Sequence, residues 1–408
     1  MKEFLALPKQ LQWREGLMFL AIILGSAIFP FMSMYYVQYF GAFVTGLLVI
    51  LTQAASFMAI LYGGHLSDSV GRKKVTDWGN LGVVIGYLIT LFANVPGYVQ
   101  PILTFIGIFT VEVASNFSHP AYDAMIIDLT DETNRRFVYA ISYWIINVAV
   151  MLGAGIAGAF YDQHFFELLL AMTAVAIFTY LVMLWKFEET RPADFVFEHG
   201  QGILSPFRNY RDVVRDRAFM VYTLGVVLFS AVWTQIDNYI PVHYKTIYQP
   251  TVAFGFEVTG AKLLSLAVLI NTTMIVFLMT TVNRLTKPMQ LIPQLLIGGS
   301  IFALGIFSAF TFKSLWLILL SAVVYTVGEM INIPASQLLR AEMMDENKIG
   351  SYSGFISMAQ PLGYIIAGVM VSMSQFTGTL GVQIVFILIA FFGLFFTVKG
   401  AQLKGIEL

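Results

Sequence analysis

Cysteine is absent from this 408-residue sequence, and charged residues make up only 12% of it. Without thiols the chain can form neither disulfides nor thiolate metal or redox centres. The 23 Lys and Arg nearly balance the 24 Asp and Glu, and the formal net charge of −1 argues neither for nor against a nucleic-acid partner. We expect none, because the positions of the cations have a different explanation.

Hydrophobic residues make up 58% of the chain, and the mean hydropathy of +0.77 is far above that of soluble domains. A bilayer core of about 30 Å takes roughly 20 apolar residues per helix. The first apolar run is too long for a signal peptide, so we interpret it as a retained span. The sequence therefore predicts an all-α integral membrane protein with twelve transmembrane helices, near 16–40, 44–65, 75–93, 99–128, 137–160, 166–186, 218–247, 258–282, 290–310, 315–340, 351–374 and 379–399.

The cations fall mainly in alternate loops of this predicted topology. Of the 23 Lys and Arg, 20 lie on one side of the membrane, and the exceptions are Lys245, Lys262 and Lys313. This is the positive-inside asymmetry of proteins whose cytoplasmic loops carry Lys and Arg. We expect a multi-pass protein of the plasma membrane, surrounded by lipid, with both termini in the cytoplasm.

The spans divide six and six around a polar connection. We predict an N-terminal six-helix bundle over 1–187, a cytoplasmic linker over 188–217 and a C-terminal six-helix bundle over 218–408. Two segments, HPAYDAMIIDLTDE at 119–132 and IPASQLLRAEMMDE at 333–346, share a Pro-Ala pair, an acid eight residues after the proline and a final Asp-Glu, at an offset of 214 residues. Fourth and tenth spans would match in this way if a six-helix unit had been duplicated.

The turn between the second and third predicted spans has an unusual density of charge. Its sequence, GGHLSDSVGRKK at 63–74, resembles the G-x-L-x-D-x-x-G-[RK]-[RK] motif of the major facilitator superfamily, through Gly64, Leu66, Asp68, Gly71, Arg72 and Lys73. The resemblance implies two pseudo-symmetric bundles of that fold. It also implies that Asp68 contacts the second half near span eleven and that Arg72 pairs with Asp128, latching the outward-facing state. The alternative is a solvated loop with cytoplasmic cations.

Five longer stretches narrow the resemblance to the proton-driven multidrug antiporters of the LmrP type. They are DAMIIDLTDE (123–132), IDNYIPVH (236–243), MTTVNRLTK (279–287), VYTVGE (324–329) and NKIGSYSG (347–354). This family exports lipophilic, often cationic, compounds in exchange for protons. The resemblance implies that Asp237 and Glu329 are substrate-facing carboxylates, that the proton gradient drives transport without a cofactor, and that the protein is a monomer. Static hydrogen bonds between helices are the alternative role for both acids.

The chain departs from this family pattern in span five, where Ser142 stands in place of a carboxylate. On span four, Glu112, Asn116, His119 and Asp123 follow one another at intervals that place them on one helical face. We hypothesise that Asp123 replaces the missing carboxylate in proton coupling, with Glu112 and His119 as further candidates. A static hydrogen bond between helices is the alternative for Glu112 and Asp123, and a hydrogen-bonded interior histidine is the alternative for His119.

Aromatic side chains lie one helical turn from both substrate-facing acids, Trp233 beside Asp237 and Tyr325 beside Glu329. A ring can stack on an organic cation with about 0.5–2 kcal/mol. Aromatic residues make up 15% of the chain, however, so ordinary packing explains these neighbours equally well. Asn147, Trp144 and Asn332 are further candidates for substrate binding on the same grounds.

No catalytic constellation accompanies these residues, and we expect that the protein is not an enzyme. The stretch GAGIAG at 153–158 matches G-x-G-x-x-G, but it lies in mid-span and does not follow a strand, as a dinucleotide site requires. Small residues there would permit close helix packing. The alternatives to multidrug export are a lipid-translocating protein or a nutrient–proton symporter of the same fold, and a non-transporting membrane sensor.

Overall fold

The computed structural model describes residue 4 and residues 6–131, 134–191, 213–253, 255–345 and 348–406. Most of the predicted linker, residues 192–212, lies outside the described residues. Helices account for almost all of the rest, which confirms the predicted all-α class.

Six α-helices form the first half of the chain. They are α1 (Lys9–Ile28), α2 (Met32–Val70), α3 (Arg72–Phe92), α4 (Pro101–Leu129), α5 (Arg135–Phe160) and α6 (Phe165–Lys186). A short 3-10 turn, Phe29–Phe31, joins α1 to α2. Strands β1 (Asn94–Val95) and β2 (Tyr98–Val99) pair antiparallel and join α3 to α4.

The second half begins with a helix that is shorter than its predicted span. Its helices are α7 (Arg217–Trp233), α8 (Tyr239–Thr246), α9 (Gly260–Thr286), α10 (Leu291–Ala309), α11 (Leu315–Met343), α12 (Ile349–Ile356) and α13 (Ala359–Lys404). Between α8 and α9, strands β3 (Thr251–Ala253) and β4 (Phe256–Val258) form a second antiparallel hairpin.

Two helical stretches are long enough to cross a membrane twice. Among the described residues, nine stretches have the length and apolar character of a span, and two of these contain 62 and 53 residues. Glycines interrupt both: Gly41 has φ 75° inside α2, and Gly378 has φ 63° inside α13. Glycine adopts this conformation at little steric cost. Divided there, and with α7 and α8 together as one crossing, the helices accommodate the twelve predicted spans.

The proposed internal repeat corresponds to two helices of equal length. Helices α4 and α11 each contain 29 residues, and both their first and their last residues are separated by the 214-residue offset of the sequence match. Each contains a proline, Pro120 or Pro334, at the same position. Their partners also correspond, since α4 packs on α3 and α11 packs on α10. The equivalence favours duplication of a six-helix unit.

The described chain separates into two compact units. The first comprises Met1–Phe29 and Thr52–Ile203, and the second comprises Pro30–Leu51 and Leu204–Leu408. In the first unit, α1 packs on α5 and α6, and α3 packs on α4 and α6. In the second, α7 packs on α13, and α11 packs on α9 and α10. The predicted division into bundles 1–187 and 218–408 stays a prediction.

Small residues allow the helices within each unit to approach closely. A Cβ atom on Gly86 of α3 would lie 2.7 Å from the carbonyl oxygen of Gly107 on α4. A Cβ on Gly153, in the GAGIAG stretch of α5, would collide with the Ile23 carbonyl and the Ser26 hydroxyl of α1. Close packing of this kind stabilises helix pairs in lipid, where burial of apolar surface contributes little. It confirms the packing interpretation of Gly153.

The hairpin between α3 and α4 provides a test of the predicted topology. Because the chain has no cysteine, Tyr98→Cys introduces a unique thiol at an exposed side chain of β2. A membrane-impermeant maleimide added to intact cells should label Tyr98→Cys. It should not label Lys287→Cys, a matched variant after the last residue of α9. Labelling of Lys287→Cys alone would mean that the predicted orientation is reversed.

Candidate functional site

The charged turn between α2 and α3 is organised around Arg72, whose side chain is buried. The Nη1 group of Arg72 donates to Asp68 Oδ1 and to the Ser67 carbonyl oxygen, both at 2.9 Å. Its Nε group donates to Asp128 Oδ2 of α4 at 3.3 Å. The expected Arg72–Asp128 pair is therefore present. Asp128 is only 11% exposed and Asp68 is 48% exposed, so Asp128 makes the more strongly desolvated contact.

The remaining motif residues shape this turn. Gly71 has φ 113°, and a Cβ atom there would collide with the carboxylate of Glu189. Lys73 pairs with Asp77 one turn further along α3, at 2.8 Å. Gly64 lies against Pro120 of α4, where an added Cβ would meet the proline ring at an ordinary contact distance of 3.7 Å. Only Gly71 is thus required for steric reasons.

Residues that follow α6 complete the network, and the sequence interpretation missed them. Glu189 accepts hydrogen bonds from the backbone N–H groups of Arg72 at 2.9 Å and Lys73 at 3.3 Å, the first amides of α3. A carboxylate is favourable there because these amides have no partner within the helix. Thr190 Oγ1 donates to Asp128 at 3.1 Å, and Arg191 Nη1 donates to the Asp68 and Ser69 carbonyl oxygens at 2.9 Å. The start of the predicted linker is thus attached to the charged turn.

Two polar contacts of the stripe on α4 lie within the same helix. His119 Nδ1 and Asp123 Oδ2 are 3.3 Å apart, and the two side chains are 69% and 58% exposed. Asn116 donates to the Glu112 carbonyl oxygen at 2.9 Å. Ser142 does not contact this stripe in the described structure, because its hydroxyl donates to Glu15 Oε2 of α1 at 2.9 Å. Proton coupling through Asp123, Glu112 or His119 stays a prediction.

In the second unit, Glu329 lies at the midpoint of α11, fourteen residues from either end. This is about 21 Å along the axis from each end, at 1.5 Å per residue. Asn271 of α9 donates to Glu329 Oε2 at 2.7 Å and to Thr326 Oγ1 at 3.1 Å. Glu329 is 8% exposed, and in the part of the chain that the structure describes it has no ion-pair partner. An ionised carboxylate is costly in such a place.

Asp237 lies where the seventh span is broken, between the end of α7 at Trp233 and the start of α8 at Tyr239. The sequence predicted an unbroken run over 218–247, which is wrong at this point. Side chains satisfy carbonyl groups around the break: Gln235 donates to the Ala231 carbonyl at 2.6 Å, and Asn238 donates to that of Thr234 at 2.7 Å. Backbone of this kind is tolerated at membrane depth when it is buried in protein or lines a polar cavity.

The carboxylate of Asp237 accepts a hydrogen bond from a tyrosine on another helix. Tyr364 Oη of α13 donates to Asp237 Oδ2 at 3.1 Å. Ser33 Oγ donates to the main-chain carbonyl oxygen of Asp237 at 3.3 Å. No Lys, Arg or His within the described ranges forms an ion pair with the Asp237 carboxylate. Like Glu329, it is held by neutral donors.

The predicted aromatic residues surround Phe302 of α10. Trp233 stacks on the Phe302 ring with centroids 4.3 Å apart, and Tyr325 meets the same ring edge-on at 6.3 Å. Tyr325 is buried, whereas Trp233 is partly exposed. Because the helix ends at Trp233, Trp233 and Asp237 are not one turn apart on a continuous helix, as the sequence predicted. Packing therefore explains the position of Tyr325, and Trp233 combines packing with an accessible edge.

The weaker substrate candidates have local partners. Asn332 is buried and joins α11 to α10, since its amide donates to the Leu295 carbonyl at 3.0 Å and accepts from Ser336 Oγ at 2.8 Å. Asn147 donates to the Tyr143 carbonyl of its own helix at 2.8 Å, and Trp144 is exposed. These contacts are typical of helix packing, and a role in substrate binding stays a prediction for all three.

Asn271 and Tyr364, the side chains that hydrogen-bond Glu329 and Asp237, differ in how clearly the sequence indicates them. Asn271 is an amide inside the apolar stretch of α9, which is a signal that the sequence interpretation overlooked. Tyr364 had no distinguishing signal, because the chain contains 19 tyrosines. Within the described ranges, no three His, Asp or Glu side chains come together in a group that could hold a metal ion.

Known proteins resemble this chain along most of its length. A Na(+), Li(+), K(+)/H(+) antiporter of Planococcus maritimus is 27% identical over 372 residues, which cover 86% of this chain and 86% of that protein. The multidrug resistance protein MdtH of Sodalis glossinidius (strain morsitans) is 22% identical over 341 residues, covering 82% of this chain and 78% of MdtH.

Among solved structures, the peptide transporter POT in complex with sulfate superposes with a TM-score of 0.74 at 14% identity, covering 98% of this chain and 94% of that one. The nucleoside transporter NupG superposes with a TM-score of 0.70 at 13% identity, covering 96% and 99%. At these identities the likeness concerns the fold alone.

The sequence model of the Major Facilitator Superfamily matches residues 16–368. This match agrees with the motif at 63–74, the duplicated helices and the transporter fold. The chain is a multi-pass membrane transporter and not an enzyme, and it belongs to the major facilitator superfamily.

Proposed function

We propose that this protein exports lipophilic, often cationic, compounds in exchange for protons by alternating access. The single observation that carries the proposal is the state of Asp237 and Glu329. Both acids lie in the second unit, both are held by neutral hydrogen-bond donors, and in the described ranges neither has a cationic partner. The relative named as a multidrug resistance protein supports the same class of cargo.

The physical reason is the cost of an unpaired carboxylate. An isolated charge at the centre of a membrane helix costs about 2.5–3.5 kcal/mol on insertion scales. A carboxylate in that environment is stabilised either by binding a proton or by pairing with a cation. The two stabilised forms exclude each other, so a proton arriving from one side of the membrane would displace a cationic substrate on that side.

Aromatic rings near the acids suit a lipophilic cargo. Trp233 presents a partly exposed indole beside the break that carries Asp237. A cation over an indole gains about 0.5–2 kcal/mol, and more as the site is desolvated. Such contacts are tolerant of shape, which is the property that a multidrug site requires.

The turn around Arg72 is proposed as the conformational latch. Arg72, Asp68 and Asp128 form one charged network within the first unit. The predicted contact of Asp68 with the second half is part of this proposal. We further propose that the protein acts as a monomer in the plasma membrane, with cytoplasmic termini, and needs no cofactor besides the proton gradient.

A second candidate is exchange of alkali cations for protons. It is favoured by the Planococcus maritimus relative, which is named as a Na(+), Li(+), K(+)/H(+) antiporter and covers most of this chain. The same carboxylates would serve that exchange, because their oxygens are suitable ligands for hard cations. The two candidates differ in the cation that is exported, so a comparison of organic and alkali cations as substrates distinguishes them.

Proteoliposomes with an imposed pH gradient separate these candidates. We expect a lipophilic organic cation to elicit a proton flux that increases with its concentration, and Na⁺, Li⁺ or K⁺ to elicit little. Flux with alkali cations and none with organic cations would favour the second candidate. The absence of flux with either would contradict proton antiport altogether.

The variants Glu329→Gln and Asp237→Asn test the role of charge. We expect each to reduce export of cationic compounds about 10- to 100-fold, because a hydrogen bond or pairing with a charged group contributes about 1.5–3 kcal/mol. Export of neutral lipophilic compounds should fall much less. Glu257→Gln, which changes an exposed acid in β4, is the matched control and should behave as the parent does.

The measurement is the initial export rate of a cationic and a neutral dye at matched lipophilicity. An equal loss for both dyes, with unchanged thermal stability, would indicate that the two acids serve as structural hydrogen-bond acceptors.

The latch is tested by Asp128→Asn and Asp68→Asn. Each should move the equilibrium away from the outward-open state, by about 1–3 kcal/mol if the coupling is typical. Asp128→Asn should have the larger effect, because Asp128 is more buried and exposed pairs contribute about 0–1 kcal/mol. Asp77→Asn, which removes a neighbouring ion pair to Lys73, should have little effect.

Spin labels on Tyr98→Cys and Val252→Cys, one in each hairpin, report this equilibrium through their distance distribution. We expect the longer distances to lose population in Asp128→Asn. A distribution that is the same in Asp128→Asn and the parent at every pH would refute the latch.

A further inference from the structure

A buried ion pair lies in α1, outside the residues that the motifs identified. Arg14 and Glu15 are adjacent, and their side chains are 9% and 0% exposed. Arg14 Nη1 donates to Glu15 Oε1 at 2.7 Å. Ser142 of α5 donates to the other oxygen, Glu15 Oε2, at 2.9 Å. Both carboxylate oxygens therefore have a partner, and one of these partners is Ser142, the position at which the resemblance in the sequence implied an acid.

The packing of α1 on α5 sets this register. Leu11 and Val138 belong to one buried cluster with Ile126 of α4. Four residues later on each helix stand Glu15 and Ser142. Residues at i and i+4 share a helical face. The Glu15–Ser142 contact therefore lies one helical turn beyond the apolar contact of Leu11 and Val138, on the same faces of α1 and α5. The position of Glu15 beside Ser142 thus follows from the main packing of the unit.

Apolar residues also pack on α1 just after the Arg14–Glu15 pair. Leu17 of α1 packs in a second buried cluster with Met125 of α4 and with Met183 and Phe187 near the end of α6. Buried apolar clusters thus include α1 residues both before and after Arg14 and Glu15 in the sequence.

The pair is incompletely satisfied. The Nε group of Arg14 is buried and has no hydrogen-bond partner among the described residues. A guanidinium carries five N–H donors, and desolvation of an ion pair is offset only when the remaining donors are also bonded. Glu15 therefore neutralises the Arg14 charge, and protonation of Glu15 leaves that charge without its ion-pair partner.

We propose that Glu15 is the proton-binding carboxylate of the first unit and occupies the functional place left vacant by Ser142. A proton adds to Glu15 Oε1, the oxygen that otherwise accepts from Arg14, so the ion pair breaks and Arg14 is released. Loss of the proton restores the pair. This inference rests on the proposed proton antiport and names the residue that serves it in the first unit.

Other titratable groups lie near this pair. His119 and Asp123 of α4 are paired with each other on an exposed face, and Tyr122 of α4 is buried and accepts a hydrogen bond from Asn80 of α3 at 2.7 Å. The α6 residue in the neighbouring buried cluster, Met183, carries no titratable group. Glu15 is the carboxylate that Ser142 contacts, and this favours Glu15 over Asp123 as the replacement for the missing acid.

The test compares Glu15→Gln with Asp123→Asn. Glutamine keeps the size of Glu15, and its single amide oxygen can accept from Arg14 while its NH2 group donates to the Ser142 hydroxyl, but it cannot bind the proton. We expect substrate-driven proton flux in proteoliposomes to fall at least tenfold in Glu15→Gln, with substrate binding retained, to fall less in Asp123→Asn, and to be unchanged in Glu257→Gln, which changes the exposed acid of β4. The reverse pattern would overturn the inference.

Rescue distinguishes a lost proton site from a damaged fold. The double variant Glu15→Gln/Ser142→Asp returns a carboxylate to the neighbouring helix, at the side chain that contacts position 15. It should restore at least part of the flux, a non-additive result that independent sites do not give. If Glu15→Gln is destabilised and Ser142→Asp restores neither stability nor flux, the role assigned to Glu15 is wrong.

A readout without transport separates this inference from the proposed function. In pH-difference infrared spectra of the purified protein, Glu15→Gln should remove one carboxylic acid C=O band that Asp123→Asn retains. If the band is lost and the parent shows no substrate-driven proton flux, Glu15 binds a proton but the proposed antiport fails. If the spectra of Glu15→Gln and the parent are the same, the inference fails.

Discussion

The cost of burying charge and backbone polarity in an apolar interior is the constraint on which the structure depends. The buried arginines of the described spans are each matched to an acidic partner. Arg72 is shared by Asp68 and Asp128, and Arg14 is paired with Glu15. Glu329 and Asp237 are exceptions to this pairing, since neutral donors hold them. A transporter can use such an exception, because an unpaired acid binds whichever cation or proton reaches it.

The same constraint governs the backbone. The seventh span breaks beside Asp237, and the amides of Gln235 and Asn238 take up carbonyl groups there. Pro120 and Pro334 lie inside the two corresponding helices at equivalent positions. Irregular backbone at membrane depth requires partners inside the protein. The break in the seventh span thus lies next to polar side chains that donate hydrogen bonds to its carbonyl groups.

Some of this could be predicted from the sequence, and the reasons differ by residue. Spans are long apolar runs, so α4 and α11 and their repeat were recognisable, and the family motif indicated the Arg72–Asp128 pair. The break after Trp233 had a signal that the sequence interpretation overlooked, because the polar stretch TQIDN at 234–238 follows and Pro241 comes shortly after it. Glu15 directly follows a cation at the edge of a span, where charge is expected to be solvated. Its burial and the position of Glu189 beside Gly71 depend on tertiary packing that local patterns do not contain.

The central claim is that Asp237 and Glu329 exchange a proton for a cationic substrate. Proton release on mixing purified protein with a lipophilic cation, followed by a pH-sensitive dye in weakly buffered detergent solution, tests it most directly. The parent should release protons in proportion to the substrate bound, and the double variant Asp237→Asn/Glu329→Gln should release far fewer. Equal release from both proteins, or binding without any release from the parent, would contradict the claim.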